Sequence, residues 1–381
     1  MTDAQQTTTG ARLRAVRLAR GLSQYQVARM AGVTRQAVSG VESGLSDPSL
    51  RSAFALSRAL GMTVEELFGP ANPTPPIPVR PVAPPGGDGA RVTLASVGEE
   101  LVALPLRGAA ASRSGFLPAS GLTTGPDSDP AEPGNARPIG TLRPTLVAAG
   151  CDPALPLLEA PLALLDPPIA FTWWPCSSRQ ALALAADGLV HVAGTHLRWR
   201  GDDCNTSPAA ELLRQAGQVI RFSSWQEGLV LRPAAAGDVS GIKSAAQLGL
   251  RLVNREPGAE ARSLLDRELT AAGIQPGQLI GYNTQAAGHL HVAAAIAAGL
   301  ADAGIASEPA ALAYDLAFIP LASEHFDLVI PAAHMNSREV QGLLKVLPST
   351  WLLDQLASLP GYDPARCGEQ LGTVQPLPSP S

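Results

Sequence analysis

The chain has 381 residues, of which 45% are hydrophobic and 16% charged, and its formal net charge is −5. This length is enough for two or three domains, each with a core of its own. No apolar run reaches the roughly 18 residues that a membrane-spanning helix needs, and no secretory leader is recognisable. We therefore expect a cytoplasmic protein rather than a membrane or secreted one.

The charge is unevenly distributed along the chain. Residues 1–70 carry eight arginines and five acidic residues, a net charge of +3, whereas the remainder carries 20 basic and 28 acidic residues, a net charge of −8. A basic segment ahead of an acidic body places any contact with phosphates in the N-terminal segment.

The four cysteines lie far apart and form no C-x-x-C pair. This spacing argues against a zinc site and against a disulfide framework, so reduced thiols are expected. We expect neither a bound metal nor a cofactor.

Short helical patterns separated by glycines fill residues 11–68. Ser23 is placed to cap a helix that Gly32 closes, and Thr34 is placed to cap the next one. Two short helices joined by such a turn predict a helix-turn-helix within a DNA-binding domain at 1–69. Five apolar residues of the first two helices are predicted to face inward: Leu13, Val16, Leu18, Val27 and Met30.

The motifs GLSQ, AGVTRQ and VESG resemble those of the phage-repressor-like (Xre-type) helix-turn-helix family, and the resemblance runs from Leu13 to Phe68. In that family the second helix of the motif enters the major groove of DNA, and dimers read half-sites roughly 34 Å apart. The resemblance therefore implies a double-stranded DNA operator and a homodimer.

The resemblance also implies roles for individual residues. Gln36 is expected to read a base, because glutamine can pair bidentately with adenine. Thr34, Arg35 and Ser39 are expected to contact DNA beside it, and Gln24 to contact a backbone phosphate. Glu42 is expected to brace the fold by pairing, since phosphates repel a carboxylate.

Prolines and glycines dominate the next segment. Residues 70–90 are predicted to be an extended linker, because proline fixes φ and cannot propagate a helix. Within residues 91–144, we expect a β-hairpin at 91–106 that turns at Gly98, followed by a mobile loop at 107–138 that is rich in Gly, Ser and Pro.

From residue 145 onward, apolar runs alternate with helical stretches, which predicts βαβ units in a ligand-binding domain at 145–370, followed by a tail at 371–381. The predicted fold class is multidomain: an all-α helix-turn-helix domain and a two-lobed α/β domain of the periplasmic-binding-protein type II. Six helices are predicted, at 177–187, 208–216, 259–272, 289–300, 308–315 and 336–358.

Polar residues follow the predicted strands where the strands end. In open α/β sheets, ligands bind at these carboxyl ends. The candidates in the first half are Asp152, Ser177, Ser178, Thr195 and His196, and those in the second half are Asn254, Arg255, Arg262, His289 and Ser307. Two serines at a helix start and two arginines indicate a small polar ligand of anionic character. Structural roles remain open for the serines, as helix caps, and for the histidines.

Several words in residues 145–370 resemble the periplasmic-binding-protein-like sensor domains that are fused to such DNA-binding modules and to molybdopterin-biosynthesis proteins. They include VAAGCDPAL, SSRQALALAADGLVHVAGTHL, WQEGLVL and FIPLASEHFDLVIP. The resemblance implies two lobes joined near 219–232 and 326–331, and it favours molybdate, tungstate or a molybdenum-cofactor-related ligand. The family word Gly-Ser-Gly-Thr-Arg is replaced here by GAEAR at 258–262, which removes the hydroxyls of a phosphate cradle.

These features predict a ligand-responsive, one-component transcriptional regulator. Two alternatives stay open: a constitutive DNA-binding protein whose C-terminal domain only oligomerises, and a cofactor-biosynthesis enzyme with a DNA-binding appendage. No G-x-S-x-G, P-loop or H-E-x-x-H motif is present, so a non-enzyme is favoured.

Overall fold

A computed structural model describes residues 9–68, 75–108, 111–126, 133–198 and 205–375. The chain divides into two compact units, Met1–Pro75 and Pro76–Ser381. Among the described residues, no helix combines the length and apolar character that crossing a lipid bilayer requires.

The first unit is a bundle of five helices. They are α1 (Thr9–Ala19), α2 (Gln24–Ala31), α3 (Arg35–Glu42), α4 (Leu50–Ala59) and α5 (Val64–Phe68). Ser23 caps α2 in a capping box with Gln26, Gly32 ends it at a φ of 64°, and Thr34 caps α3 by accepting from the Ala37 N–H. These caps confirm the predicted helix-turn-helix punctuation.

The core of this bundle contains Leu13, Val27 and Val38 with residues of α4 and α5. Two of the inward-facing predictions are wrong, because Leu18 and Met30 are 57% and 55% exposed. On α1 the buried position is taken by Arg17 instead, which pairs with Glu42. A charged residue is tolerated there because its partner satisfies it.

The second unit begins with a closed five-stranded barrel in the order β1-β3-β2-β4-β5. Its elements are β1 (Ile77–Pro81), β2 (Arg91–Val97), β3 (Glu100–Pro105), the short helix α6 (Ala111–Ser114), β4 (Gly121–Thr124) and β5 (Gly134–Pro138). The hairpin about Gly98 is present, with Val97 opposite Glu100.

The barrel departs from the predicted linker and loop. Strand β1 lies inside the predicted 70–90 linker, and β4 and β5 lie inside the predicted 107–138 loop. A short strand needs few ladder hydrogen bonds, so prolines at its ends are tolerated. Residues 70–74, 109–110 and 127–132 of the same segments, and residue 69 before them, lie outside the described residues.

An α/β domain with one continuous sheet follows, in the order β11-β10-β12-β9-β13-β8-β6-β7, with β14 also paired to β9. The strands are β6 (Thr145–Gly150), β7 (Ala170–Pro175), β8 (Val192–Thr195), β9 (Gly217–Leu231), β10 (Leu252–Arg255), β11 (Gln285–Ala286), β12 (Ala303–Ser307), β13 (Ala317–Pro331) and β14 (Gln370–Val374). The helices are α7 (Glu159–Ala163), α8 (Ser178–Ala186), α9 (Thr206–Leu213), α10 (Ile242–Gln247), α11 (Glu260–Ala272), α12 (His289–Ala297), α13 (Glu308–Ala313), α14 (Arg338–Val346) and α15 (Thr350–Ser358).

Strands β9 and β13 join two lobes, because each is 15 residues long and they pair antiparallel from end to end. One end of this ribbon continues into β8, β6 and β7 (lobe 1), and the other into β12, β10 and β11 (lobe 2). Each lobe has apolar clusters on both sheet faces. The barrel packs Val97 and Leu104 into the lobe 1 cluster that contains Val147 and Leu182.

The prediction for the ligand domain differs from the structure in one helix and in the C-terminal boundary of the domain. The predicted helix at 336–358 is two helices, α14 and α15, because Pro348 interrupts the helical pattern between them. Residues 371–374 of the predicted tail belong to β14, where Val374 is buried in the lobe 1 core.

Candidate ligand-binding cleft and nucleic-acid interface

The carboxyl ends of strands from both lobes meet at a small cleft. Cys151 follows β6 and His196 follows β8 in lobe 1, while Arg255 ends β10 and Ser307 ends β12 in lobe 2. A pocket of about 60 Å³ lies here, lined by residues that include Cys151, Trp173, Cys176, Arg255, His289 and His291. The sheet topology therefore assembles the candidate residues, as the switch-point rule for α/β sheets predicts.

His289 presents a hydrogen-bond donor to the cleft. The Ser307 N–H donates to its Nδ1 at 3.2 Å, so in the neutral ring the proton lies on Nε2. Burial, and next the charge of Arg255, holds the pKa of His289 well below its ordinary value, so the ring is neutral. The 3.7 Å approach of Nδ1 to Glu227 is therefore not an ion pair.

Arg255 adds a guanidinium donor. Its Nε and Nη2 donate to the two carboxylate oxygens of Glu256, each at 2.9 Å, while Nη1 is buried without a partner. The pairing with Glu256 neutralises the charge, which makes burial of this arginine tolerable.

His196 and Trp225 pack against each other and against His289. The His196 ring centroid lies 5.7 Å from that of Trp225 and 5.4 Å from that of His289. Burial, followed by the charge of Arg255, lowers the pKa of His196 to about 3. Neither Nδ1 of His196 nor Nε1 of Trp225 has a hydrogen-bond partner.

Two buried glutamates lie on the strands that join the lobes. Burial, and next the neighbouring Glu324, raises the pKa of Glu227 well above its ordinary value, and burial raises the pKa of Glu324 to about 8. Both oxygens of Glu227 and Oε1 of Glu324 have no hydrogen bond. Nε of Arg198 lies 3.7 Å from Glu324 Oε1, beyond hydrogen-bonding distance.

Unpaired buried polar atoms are concentrated in this cleft. Eight of the ten such atoms among the described residues lie around it: His196 Nδ1, Trp225 Nε1, Glu227 Oε1 and Oε2, Arg255 Nη1, His289 Nε2, Ser307 Oγ and Glu324 Oε1; the other two are Ser57 Oγ and Arg232 Nε. Of these residues, Arg255 and His289 line the pocket of about 60 Å³, and Trp225 and Glu324 line a second cavity of about 360 Å³. Each unsatisfied buried group costs about 1–3 kcal/mol, and native proteins keep few of them. Such a concentration indicates a binding site whose occupant supplies the missing partners.

Four of the candidates predicted from the sequence contribute these atoms, namely His196, Arg255, His289 and Ser307. The structure therefore brings together residues from β8, β10, β12 and α12. Whether they contact a ligand stays a prediction.

The other candidates have their polar atoms engaged within the protein. The Ser177 hydroxyl caps α8, and the Ser178 hydroxyl accepts from the His196 N–H at 3.1 Å. Thr195 donates to the Asp327 carbonyl. Asp152 is buried, accepts from Ser223 and Tyr362, and has a pKa raised by burial to about 6.

Asn254 and Arg262 also serve the local fold. The Asn254 amide donates to the Tyr282 carbonyl, and Nη1 of Arg262 donates to the Arg255 carbonyl. The Arg262 guanidinium stacks over the Tyr282 ring at 4.7 Å. These bonds position the backbone of Arg255, and the clamp formed by Arg255 and Arg262 stays a prediction.

Sequence reasoning missed Cys151, Trp225, Glu227 and Glu324. The sequence signal was weak: Glu227 directly precedes the apolar run of residues 228–231, whereas Glu324 lies between an exposed Ser323 and a half-buried His325. Two sets of side chains have potential metal-ligand atoms within 4.8 Å of one another: His196 with Glu227 and Glu324, and Cys151 with His196 and His289.

In the first unit, α3 presents the residues expected to read DNA. Arg35 and Gln36 are exposed, Ser39 is half-buried, and the Thr34 hydroxyl is engaged as the cap of α3. These positions are those at which the first turns of a recognition helix face the major groove.

Gln24 and Glu42 belong to one hydrogen-bond network. Arg17 donates to both Glu42 oxygens, at 2.6 and 2.9 Å, and Gln24 Nε2 donates to Glu42 at 2.9 Å. The pairing of Glu42 confirms its expected bracing role. One amide proton of Gln24 stays available, and its phosphate contact remains a prediction.

Comparison with known proteins agrees with this division. The helix-turn-helix family profile matches residues 13–67, and the PBP superfamily domain matches residues 160–348. An uncharacterised HTH-type transcriptional regulator of Methanocaldococcus jannaschii is 35% identical over 57 residues, which are 15% of this chain and 86% of that protein. The chain belongs to the helix-turn-helix family of HTH-type transcriptional regulators and carries a PBP-like domain.

Two further relatives cover other portions. The uncharacterised protein YvgK of Bacillus subtilis is 31% identical over 142 residues, which are 37% of this chain and 46% of YvgK, so the chain spans about half the length of that relative. The restriction-modification controller protein C.AhdI from Aeromonas hydrophila is 42% identical over 17% of this chain and 98% of its own, with a TM-score of 0.16.

Proposed function

We propose that this DNA-binding regulator responds to a small anionic ligand in the cleft between its two lobes. The observation that carries the proposal is the set of unpaired buried donors, namely Arg255 Nη1, Trp225 Nε1 and the His289 Nε2–H. Arginine and tryptophan nitrogens can only donate, so their partner must be an acceptor. We further propose that the protein is not an enzyme and acts in the cytoplasm as a homodimer.

The size of the pocket supports a compact ligand. It measures about 60 Å³, and on the same measure one water molecule needs about 10–15 Å³. A tetrahedral oxyanion such as molybdate or tungstate is therefore favoured over a pterin-sized compound, which would require the lobes to separate.

Lobe movement offers a route from the ligand to the DNA. The unpaired donors come from lobe 2 and from β9, and Cys151 and Cys176 of lobe 1 line the same pocket, so an occupant held between them stabilises the closed arrangement. A ligand can shift the equilibrium between the open and closed arrangements only by as much as its affinity differs between them. We propose that the shift resets the spacing of two DNA-reading heads in the dimer, which sedimentation with and without ligand would detect.

Ligand binding can be tested on the full chain by thermal shift with molybdate, tungstate, sulfate and phosphate, each added separately. One oxyanion should raise the melting temperature by several degrees. Arg255→Lys should abolish that rise, because lysine cannot pair with Glu256 bidentately and still extend a planar donor. Arg251→Lys, just before the opposite end of β10, is the matched control and should retain it.

DNA response can be tested by fluorescence anisotropy, with a duplex selected from a random library by the full chain. The effective oxyanion should change the affinity of the unmodified protein and not that of Arg255→Lys. Unchanged DNA affinity with saturating ligand would favour the constitutive alternative. Absence of any thermal shift would remove the anion-sensing proposal while leaving DNA binding intact.

A further inference from the structure

The donors account for only part of the unpaired atoms in the cleft. Four others are oxygen or nitrogen atoms that can accept or coordinate: Nδ1 of His196, both carboxylate oxygens of Glu227 and Oε1 of Glu324. All three residues are at most 3% exposed. In their ionised form the two carboxyl groups would repel an anion and attract a cation, so we consider a cation on this side.

One imidazole and two carboxylates form a donor set that transition metals accept. Their ligand atoms lie within 4.8 Å of one another. Bonds of about 2.0–2.2 Å place the ligand atoms of a four-coordinate ion roughly 3.4 Å apart. A contraction of this size is within reach of side-chain rotation, since the lobes already bring the three residues together.

The alternative triad fits a metal less well. His289 would need a lone pair for coordination, but its Nδ1 accepts from the Ser307 N–H, so Nε2 carries the proton. Cys151 and His196 alone do not make a site. The triad that contains both glutamates therefore carries the inference.

The surrounding charges favour a cation. Arg255 is paired bidentately with Glu256, and Arg267 with Glu260 at 2.7 Å, so these guanidinium groups are already compensated. Arg198 is half-exposed and lies 3.7 Å from Glu324. Two carboxylates at the joining strands can therefore neutralise a divalent ion, which would displace their protons and compete with Arg198 for Glu324.

We propose that His196, Glu227 and Glu324 bind a divalent first-row transition-metal ion. Imidazole and carboxylate ligands together suit Zn²⁺, Mn²⁺ or Fe²⁺ more than Ca²⁺ or Mg²⁺. The ion would lie at the junction of β8, β9 and β13, beside the anion donors, and would link lobe 1 to both joining strands. The metal proposal does not depend on any response of the DNA affinity.

The test is metal titration of the full chain after chelator treatment and without DNA. Zn²⁺ alone should raise the melting temperature by several degrees. Co²⁺ alone should give visible absorption that saturates at one equivalent per chain. Glu227→Gln and Glu324→Gln should each weaken the binding by at least about a hundredfold, since loss of an inner ligand exceeds the 10–100-fold cost of outer-shell changes. Glu308→Gln, a carboxylate at the end of β12, is the matched control and should bind as the unmodified chain does.

Cys151→Ser separates the two triads. It should leave the Co²⁺ spectrum unchanged; if it abolishes binding while Glu227→Gln does not, the metal belongs to the cysteine set and the assignment is overturned. Failure of the unmodified chain to bind one equivalent also overturns it. Circular dichroism of each metal-free variant checks folding. Should a glutamine variant unfold, hydrogen exchange of the unmodified chain decides, because Zn²⁺ must slow exchange at residues 225–228.

Discussion

Gln24 and Gln36 differ in the freedom of their side chains. Gln36 is exposed on α3, whereas Gln24 is half-buried and donates to Glu42. We expect Gln36→Ala to relax base preference at one operator position by about 1–3 kcal/mol, the value of one bidentate contact. Gln24→Ala should weaken binding to all duplexes alike, because phosphates carry no sequence information. Anisotropy with single-position operator variants measures both, and identical profiles for the two proteins would contradict the assignment.

Glu42 makes the stability of the helix-turn-helix depend on pH. Burial alone would raise its pKa, but hydrogen bonds from Arg17 and Gln24 outweigh this and lower it. A lowered folded-state pKa means that the stabilisation is complete above the ordinary glutamate value of about 4.3 and is lost as the pH falls through the folded value below it.

Hydrogen exchange of the α1–α3 amides in the full chain should therefore accelerate as the pH is lowered from 6 to below about 4, after correction for the intrinsic rate. Glu42→Gln should remove this dependence and lower local stability by roughly 1.5–3 kcal/mol, the range for hydrogen bonds to charged groups. Glu65→Gln, in the first turn of α5, is the control. If hydrogen exchange in Glu42→Gln still accelerated at acidic pH, the pH dependence would belong to another titratable group.

Among elements, the paired strands β9 and β13 have the least tolerance for added atoms near the cleft. A Cβ on Gly228 would lie 2.1 Å from the Ile319 carbonyl oxygen, which is a backbone atom that cannot turn aside. Gly228→Ala should therefore separate β9 from β13 next to Glu227 and destabilise the fold by about 1–3 kcal/mol, as overpacking does.

Gly237→Ala is the matched control, because nothing lies within 4 Å of the position that its added methyl group would take, and its φ is unremarkable. Chemical denaturation of both variants measures the difference. Equal stability of the two proteins would show that the β9–β13 ribbon can widen at this point.

The helices and strands differ in how well sequence patterns could predict them. Caps at Ser23 and Thr34 are local, so the helix-turn-helix could be placed from a few residues. The strand ends in both lobes could be placed because each apolar run stops at a polar residue. The barrel could not, since β1, β4 and β5 are at most five residues long and their pairing is non-local.

The cleft was predictable only in part for a related reason. His196, Arg255, His289 and Ser307 were found because they follow strands or open a helix. Whether a polar group is hydrogen-bonded within the protein depends on partners that are distant in sequence. Asp152, for example, accepts a hydrogen bond from Tyr362, which is 210 residues away. The periodicity of apolar residues along the sequence does not reveal such a partner.

At the scale of the whole molecule, the two sites must obey reciprocity. If the anion changes the affinity for the operator by a given factor, the operator changes the affinity for the anion by the same factor, because both follow from one coupling free energy. Typical couplings are about 1–3 kcal/mol, or roughly 5–150-fold. Calorimetric titration of the effective oxyanion into the full chain, with and without saturating operator duplex, should return the factor measured by anisotropy. The control is Gln36→Ala at a duplex concentration too low to saturate this variant. Its affinity for the anion should equal that of the unmodified chain without DNA. Unequal factors for the unmodified chain would mean that ligand and DNA act on different populations, such as monomer and dimer, rather than through a single linked equilibrium.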